Sequence, residues 1–390
     1  MAKPSLLNRA RLIRKRLATE ISLLKSEKTG MCCLRPFHYL CIGIKGITFP
    51  CCPGLVTLPL GFGSKAPDFE RIWNGPAARV YRKAMLSTKL SGVCNRKACP
   101  FLLNGKLPML HGGNLDTSRV GAGLFPDGVL QDAAISEAVR NNKTRLEYTP
   151  RAIVLSCDLR CNLACSSCRS TRTKSISADE SAFLDEVLNY LPRIGKDLLE
   201  LEISGSGEVF YSPFSLNLLR SLNRNDFPKM HVHIVTNGQL LTPVTWESLK
   251  QGKRFINRID VSVDAATKST YESIRIGGKW ERLRENLDFV SLLRRKNDLA
   301  MFALNFVISA RNFREIPQFI ELGETLGADL IMMTELQDWG SAMRYDYMKE
   351  SVHLPTHPLH GEYRNILKNS VPLSAKTLFG TRVLMDDKDK

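Results

Sequence analysis

Three cysteines that directly follow a short apolar segment have the residue type and the spacing to bind iron. Cys161, Cys165 and Cys168 form the pattern C-x3-C-x2-C. Three thiolates on one loop can bind three irons of a cubane four-iron cluster and leave the fourth iron open to an exchangeable ligand. An open metal position distinguishes a centre that binds a small molecule from a closed structural centre. The spacing therefore predicts a [4Fe–4S] cluster with one open iron.

A second group of cysteines, in the first hundred residues, can supply another metal site. Two of them flank a predicted hairpin formed by segments 39–44 and 47–49, and two lie in a later loop. We expect four thiolates to converge: Cys33, Cys51, Cys94 and Cys99. The neighbouring Cys32 and Cys52 are rival ligands. Four thiolates suit either tetrahedral zinc or a four-iron cluster, so the chemistry alone leaves both open.

The distribution of the cysteines indicates reduced thiols. All eleven lie between Cys32 and Cys168. A disulfide framework is typical of short secreted chains, whereas this chain has 390 residues, an odd number of cysteines and no N-terminal apolar segment of signal-peptide length. We therefore expect a cytoplasmic, metal-binding protein. Cys157 lies outside the C-x3-C-x2-C pattern, and we expect it to be a buried thiol at the end of a strand.

Alternating strands and helices must position the three-cysteine loop. Short β-rich runs are separated by stretches with helical spacing of apolar residues, such as 181–191 and 280–293. Six strands are predicted: 152–156, 199–204, 231–236, 258–263, 302–309 and 329–334. Strand-then-helix units imply a parallel sheet, open or curled into a partial barrel, with chemistry at the carboxyl ends of the strands.

Composition divides the chain into five segments. They are a basic helical arm at 1–30, a cysteine-rich domain at 31–105, a connector at 106–144, a (β/α) domain at 145–340 and a C-terminal tail at 341–390. The longest apolar runs are far shorter than the roughly 20 residues of a membrane span, so no transmembrane segment is expected. Two prolines lie among the three histidines of 353–360, which favours a loop over a metal site.

The net charge of +16 is partly concentrated at the N-terminus. The first 30 residues contain eight basic and two acidic side chains. Such an arm could contact nucleic acid, an acidic leader peptide or an anionic membrane surface. A solvated helix face explains it equally well.

The three-cysteine loop after the first strand resembles the signature of the radical S-adenosylmethionine (radical SAM) superfamily. The resemblance implies an α/β fold with a partial (β/α)6 TIM-like barrel. It also implies that the amino and carboxylate groups of S-adenosylmethionine chelate the open iron. An electron from the reduced cluster would then split the sulfonium, and the resulting 5′-deoxyadenosyl radical would abstract hydrogen from a substrate.

The same resemblance implies cofactor contacts at the end of the second strand. Segment 204–208 is similar to the family's glycine-rich segment, which binds the methionine amino group. By this resemblance Gly205 and Gly207 allow close approach of the backbone, and Glu208 takes the acidic position. A tight turn without a ligand would have the same composition.

Three further cofactor contacts are implied at later strand ends. Asn237 and Ser262 would bond the ribose hydroxyls, and Arg275 would pair with the methionine carboxylate. The structural alternatives are a turn at Asn237, a strand-end hydroxyl at Ser262 and a surface ion pair at Arg275.

The N-terminal cysteines resemble a second family pattern. The arrangement C-x12-G-x4-C, followed by Ile72-Trp73-Asn74-Gly75 and a paired-cysteine loop, is similar to SPASM or twitch auxiliary-cluster domains. The resemblance implies one auxiliary [4Fe–4S] cluster on Cys33, Cys51, Cys94 and Cys99, and favours iron over zinc.

These resemblances imply an enzyme that modifies a peptide or protein, with an external one-electron donor such as flavodoxin or ferredoxin. Two alternatives remain open. One is a radical SAM enzyme that acts on nucleic acid or on a sugar-containing small molecule, which the basic charge favours. The other is a non-catalytic zinc-binding interaction module.

Overall fold

The protein was analysed as a computed structural model that describes residues 26–62, 68–96, 99–120, 124–168, 171–204, 206–338, 346–370 and 377–379. Most of the predicted basic arm and Gly205 lie outside these residues. The chain divides into two compact units. The first contains Met1–Cys157, Ser177–Leu201 and Arg224–Met230, and the second contains Asp158–Ile176, Glu202–Asn223 and His231–Lys390. The segment boundaries deduced from composition remain a prediction.

The described residues of the first unit form six strands, four of which pair in a mixed arrangement while two form a separate hairpin. The strands are β1 (Tyr39–Gly43), β2 (Ile47–Phe49), β3 (Gly61–Phe62), β4 (Met109–His111), β5 (Asn114–Asp116) and β6 (Ala152–Ser156). The order is β6-β1-β2-β3, with β1 parallel to β6 and antiparallel to β2, while β4 and β5 form a separate hairpin. The predicted hairpin is therefore present as β1 and β2. Its turn is a 3-10 segment, Ile44–Gly46, in which Lys45 and Gly46 have positive φ.

The described residues of the first unit also form six helices. They are α1 (Arg35–His38), α2 (Phe69–Trp73), α3 (Pro76–Leu86), α4 (Pro100–Leu103), α5 (Ala133–Arg140) and α6 (Ala178–Ile194). Helix α6 begins with a capping box, in which Ser177 Oγ accepts the backbone N–H of Glu180 and Glu180 accepts the backbone N–H of Ser177.

A fully buried arginine joins three segments of the first unit. Arg82, on α3, donates hydrogen bonds to the carbonyl oxygens of Pro36, Trp73 and Thr144 at 2.8–2.9 Å. Its guanidinium also lies over the Trp73 ring. Burial lowers the pKa of Arg82 to about 9. Three carbonyl dipoles and an aromatic face thus hold a buried cation, and they fix the backbone next to the cysteine-rich segment.

The second unit contains a parallel sheet. Its strands are β7 (Glu200–Ile203), β8 (His231–Thr236), β9 (Ile256–Ser262), β10 (Met301–Ile308), β11 (Leu330–Glu335) and β12 (Thr377–Phe379). The first two residues of β7 belong to the first unit. Neighbours follow chain order, and the pairs from β8 to β12 are parallel. The strand order is linear, and no closed barrel forms among the described residues.

Helices connect these strands. They are α7 (Pro213–Ser221), α8 (Pro243–Ser248), α9 (Lys268–Ile274), α10 (Trp280–Arg295), α11 (Ile316–Leu326), α12 (Tyr347–Glu350) and α13 (His360–Ser370). The α/β fold class is confirmed. Each of the six predicted strands is present, with ends that differ by at most two residues. Helices 181–191 and 280–293 are also present and are longer than predicted, as α6 and α10.

No helix within the described ranges is sufficiently long and apolar to cross a membrane. The three histidines of 353–360 lie in the segment between α12 and the start of α13. His357 and His360 lie within hydrogen-bond distance of backbone carbonyl oxygens, and His353 lies next to the Tyr347 hydroxyl.

Candidate functional site

Backbone hydrogen bonds fix the three-cysteine loop at both ends. Cys161 N–H donates to Thr173 O at 2.9 Å, which closes the loop on itself. Ala164 N–H donates to Ile276 O at 3.0 Å, and Ser166 N–H to Ile274 O at 3.1 Å. The loop is therefore held against the C-terminal end of α9. Cys161 and Cys165 are buried and Cys168 is exposed, so the three thiols lie between the protein interior and solvent.

The loop begins at a buried aspartate that sequence reasoning did not select. Asp158 accepts the backbone N–H of Arg160 at 3.0 Å and pairs with the Arg160 guanidinium at 2.6 Å. The Ser212 hydroxyl, at the N-terminus of α7, donates to the same carboxylate. Asp158 thus joins the start of the loop to the element that follows β7. Its position directly before the loop, at the end of a strand, was the available signal.

The glycine-rich segment packs on the backbone of this loop. A Cβ at Gly207 would lie 2.6 Å from Arg160 O and against Asp158 O, both of them backbone atoms. The next residue, Glu208, donates its N–H to Arg160 O at 2.9 Å. Sequence analysis expected Gly207 to allow close approach to a ligand. The atoms that approach it in the structure belong to the loop that carries the cysteines.

The Glu208 carboxylate is fully buried, and residues at the end of β8 donate hydrogen bonds to it. It accepts hydrogen bonds from the Thr236 hydroxyl at 2.6 Å and from the backbone N–H groups of Asn237 and Phe210 at 2.7 and 3.2 Å. Burial raises the pKa of Glu208, and these donors oppose that rise. The arrangement fixes the backbone at Asn237.

Asn237 in turn reaches the cysteine loop. Its Nδ2 lies 3.9 Å from Cys161 Sγ and donates to Asn162 Oδ1 at 2.9 Å. Its Oδ1 accepts the backbone N–H of Gln239 at 3.0 Å. The hydrogen bond from Asn237 N–H to Glu208 therefore helps to place the Asn237 side-chain amide beside Cys161, the first cysteine of the loop.

A buried ion pair lies beside the second cysteine. Arg275 pairs with Asp264 at 2.7 Å, and its Nη1 lies 3.7 Å from Cys165 Sγ. Asp264 has a left-handed backbone, with φ of 63°, and its Oδ1 accepts the backbone N–H of Val307. Burial raises the pKa of the Cys165 thiol, and the charge of Arg275 opposes that rise. Asp264 is the second site residue that the sequence analysis did not select.

Ser262 is less closely joined to the rest. It is the last residue of β9, is half-buried and lies opposite Asn305 of β10 in the sheet register. Within the described residues no hydrogen bond connects its hydroxyl to another predicted cofactor residue. The structure thus brings together Gly207, Glu208, Asn237 and Arg275 with the cysteine loop, and it leaves Ser262 on the neighbouring strand end.

Comparison with known proteins identifies this part of the chain. The model of the radical SAM superfamily matches residues 159–322, which contain the three-cysteine loop, the Glu208–Asn237 connection and Arg275. The chain contains a radical SAM domain. Members of this superfamily use a [4Fe–4S] cluster with S-adenosylmethionine, as the sequence resemblance implied.

Curated relatives match somewhat less than half of the chain. The AdoMet-dependent heme synthase of Methanosarcina barkeri is 33% identical over 186 residues, which are 46% of this chain and 48% of that protein. A probable GTP 3′,8-cyclase of Saccharolobus islandicus is 26% identical over 182 residues, 46% of this chain and 55% of that protein. The chain thus spans about half the length of these relatives, both of which have enzyme names.

Solved radical SAM structures resemble the chain more distantly. Streptococcus suis SuiB bound to the precursor peptide SuiA has a TM-score of 0.46 at 15% identity, over 80% of this chain and 64% of SuiB. The protein anSMEcpe with bound AdoMet has a TM-score of 0.40 at 18% identity, over 57% of this chain and 59% of that one. At these values the similarity carries no conclusion about substrate.

A charged cluster lies on one face of the sheet of the radical SAM domain. His233 of β8 lies 3.1 Å from Asp260 and 3.6 Å from Glu202, and Arg258 pairs with Asp260 at 2.7 Å. Burial alone would lower the pKa of His233, but the hydrogen bonds to Asp260 and Glu202 raise it to about 9. The hydrogen bonds from His233 and Arg258 lower the pKa of Asp260 to about 2, although burial alone would raise it. His233 is therefore a cation at neutral pH.

The first unit brings the four N-terminal cysteines of the predicted auxiliary site to one cavity. The cavity measures about 500 Å³, counting space open to solvent, and its lining includes Cys33, Cys51, Cys94 and Cys99. Burial raises the pKa of Cys33 to about 11, although the backbone N–H and the positive charge of Arg35 both act to lower it. The rival Cys32 is completely buried and Cys52 is exposed, and neither is among the residues that line the cavity.

The four thiols are spread around this cavity. In the part of the chain that the structure describes, no three His, Cys, Asp or Glu side chains converge closely enough to hold a single metal ion. Soft thiolate donors suit iron–sulfur clusters and zinc alike. The donor set therefore fits the auxiliary group that the sequence implied, without a choice of metal.

Proposed function

We propose that the protein is a radical SAM enzyme whose catalytic [4Fe–4S] cluster is held by Cys161, Cys165 and Cys168. The single observation that carries this proposal is the match of the superfamily model to the segment that contains these cysteines. A cluster bound by these three cysteines would supply the electron for reductive cleavage of S-adenosylmethionine, and this cleavage would provide the chemistry that removes a hydrogen atom from the substrate. The residues of this chain hold the cofactor and exclude water from the site.

The predicted cofactor residues have two kinds of role. Gly205 and Ser262 face the cofactor by the resemblance, whereas Gly207 lets the backbone of the cysteine loop approach closely. Glu208 and Arg275 already have buried protein partners. Their role is to position Asn237 beside Cys161 and to hold a cation beside Cys165, respectively.

The auxiliary site forms the second part of the proposal. Cys33, Cys51, Cys94 and Cys99 hold one auxiliary [4Fe–4S] cluster in the cysteine-rich segment 31–105. Their common cavity in the first unit supports this assignment, and so does the resemblance to SPASM or twitch domains. Cys94 and Cys99 would supply two ligands, and Cys33 and Cys51, which flank the β1–β2 hairpin, would supply the other two.

The substrate in this proposal is a peptide or protein, and the modification is an oxidation, epimerisation or crosslink at an unactivated carbon. The resemblance of the cysteine-rich segment to auxiliary-cluster domains is the support. An external flavodoxin or ferredoxin supplies electrons. A cytoplasmic location belongs to the same proposal, because reduced thiols and clusters persist in reducing compartments.

A small anionic molecule is the second candidate substrate. The heme synthase, whose name indicates a small-molecule product, shares 33% identity over 186 residues, and the net charge of +16 suits an anionic ligand. Turnover-dependent 5′-deoxyadenosine formation with tetrapyrroles or GTP, and none with peptides, would select this candidate. Binding to RNA that falls steeply with salt would select the nucleic-acid alternative.

Anaerobic reconstitution followed by an assay for 5′-deoxyadenosine tests the proposed function. With dithionite and S-adenosylmethionine we expect wild-type protein to form this nucleoside and Cys165→Ala to form none. Cys157→Ala is the matched control, because that thiol lies just before the loop and outside the C-x3-C-x2-C pattern. Zinc without iron and sulfide in anaerobic protein would instead select the non-catalytic interaction module.

A further inference from the structure

Arg35 places a cation in the wall of the cysteine cavity. It begins α1, two residues after Cys33, and it lines the cavity together with Cys33 and Cys51. Most of the other lining residues are apolar, among them Leu90, Phe101 and Leu124. A guanidinium stays charged in proteins, so this wall carries one full positive charge.

The guanidinium of Arg35 is incompletely satisfied by the protein. Its Nε is buried and has no hydrogen-bond partner among the described residues. Its Nη2 makes one long hydrogen bond, 3.5 Å, to Leu124 O, and its Cζ lies 4.8 Å from the centre of the Tyr39 ring. The ionisable groups that act on it are the cysteine thiols and the Tyr39 phenol.

A buried, under-bonded cation is costly unless an anion compensates it. Arg82 in the same unit illustrates the difference, since three carbonyl oxygens accept from its guanidinium. Arg35 has one weak acceptor, an aromatic face and the cysteines. The group that completes its environment is therefore an anion in the cavity, and four thiolates with iron and sulfide form such an anion.

We propose that Arg35 donates a hydrogen bond from Nε to a sulfur of the auxiliary cluster and raises the reduction potential of that cluster. This inference rests on the proposed auxiliary site. Cluster potentials depend on net charge, hydrogen bonds to sulfur and solvent exposure. A nearby cation stabilises the reduced cluster, which carries one more negative charge, and it acts strongly because the cavity wall is mostly apolar. Arg35 is thus a positioning and tuning residue of the auxiliary site.

The test is a redox titration of the auxiliary cluster, followed by electron paramagnetic resonance. The full chain with Cys161→Ala, Cys165→Ala and Cys168→Ala isolates this cluster. In that background we compare Arg35→Lys, which keeps the charge but loses Nε–H, and Arg35→Gln, which loses the charge. Arg79→Gln, an exposed arginine on α3, is the control.

We expect the midpoint potential to be highest in the unsubstituted background, lower in Arg35→Lys and lowest in Arg35→Gln. The control Arg79→Gln should have the potential of the unsubstituted background. The equilibrium constant for reduction should fall at least tenfold for Arg35→Gln, which is about 59 mV for a one-electron couple. Should Arg35→Gln not retain iron, the comparison with Arg35→Lys decides. A potential of Arg35→Lys equal to that of the unsubstituted background, with iron retained, refutes the inference and leaves the proposed function intact. Absence of iron in the unsubstituted background refutes the auxiliary site itself, and the inference with it.

Discussion

The guanidinium of Arg275 lies 3.7 Å from the sulfur of Cys165 and 2.7 Å from the carboxylate of Asp264. Asp264 is buried, and Arg275 is nearly so. One carboxylate on the β9 side thus determines where a cation lies relative to the middle cysteine of the loop. Because the cluster would be negatively charged, this cation stabilises the loop when the cluster is bound and is balanced by Asp264 when it is not.

Asp264→Asn should destabilise the protein strongly. Asparagine tolerates the left-handed backbone and keeps an oxygen for Val307 N–H, so the substitution removes mainly the charge. Breaking a buried ion pair by removal of one partner costs about 3–5 kcal/mol. We expect a loss in the free energy of unfolding in that range, measured by denaturant titration of cluster-free protein. Glu362→Gln is the control, since it breaks the exposed pair with Arg314 and should cost at most about 1 kcal/mol. Equal losses in the two variants would contradict the account.

Gly207→Ala should prevent cluster assembly. The new methyl group would meet the backbone oxygens of Asp158 and Arg160, which cannot move without displacing the cysteine loop. We expect iron bound in the radical SAM domain to fall severalfold after reconstitution. Gly361→Ala adds a methyl group where nothing lies within 4 Å and should leave iron content unchanged. Full iron loading of Gly207→Ala would show that the loop does not need this close approach.

Glu208→Gln separates a positioning role from direct cofactor contact. The carboxylate accepts from three donors, so an amide NH2 in place of one oxygen would face an N–H or O–H and leave it unpaired. We expect a loss of about 1–3 kcal/mol in the free energy of unfolding without cofactor present, together with weaker binding of S-adenosylmethionine. Thr236→Val, which removes one donor, should reproduce part of both effects. Weaker binding with unchanged stability would instead indicate direct contact.

The charged cluster at His233 predicts a pH dependence of stability. The folded-state pKa of His233 is about 9, above the ordinary value of 6.5. The protonated imidazolium therefore contributes stability that is fully present below pH 6.5 and is lost as the pH rises through 9. We expect the Tm of the cluster-free protein to fall more steeply over this window in wild type than in His233→Gln. Parallel pH profiles of the two proteins would rule out this role of His233.

The strand and helix pattern could be predicted well because burial leaves a local signature. The predicted runs for β6 and β8 match the observed strands at both ends, and the hairpin around Lys45-Gly46 forms as expected. The parallel pairing of β1 with β6 was not predicted, because it joins residues more than a hundred positions apart and no local pattern encodes it.

The candidate site was predicted only in part, for a similar reason. The cysteine spacing is local, so Cys161, Cys165 and Cys168 could be selected directly. The partners that hold the loop, Asp158 and Asp264, depend on which strand ends the fold brings together. The hydrogen bonds from the end of β8 to Glu208 depend on the same pairing, so the family resemblance implied a cofactor role for Glu208 and not an anchor for Asn237.

The most direct test of the central claim is the electron paramagnetic resonance spectrum of the reduced protein with and without S-adenosylmethionine. Cys99→Ala, designed to disturb the auxiliary site, simplifies the spectrum, and Cys168→Ala in addition removes one ligand of the catalytic cluster. We expect Cys99→Ala to show a reduced [4Fe–4S] signal that changes on addition of S-adenosylmethionine, and the double variant to show no such change. A cluster signal that S-adenosylmethionine leaves unaltered in the wild-type protein and in Cys99→Ala would contradict an open iron in this domain.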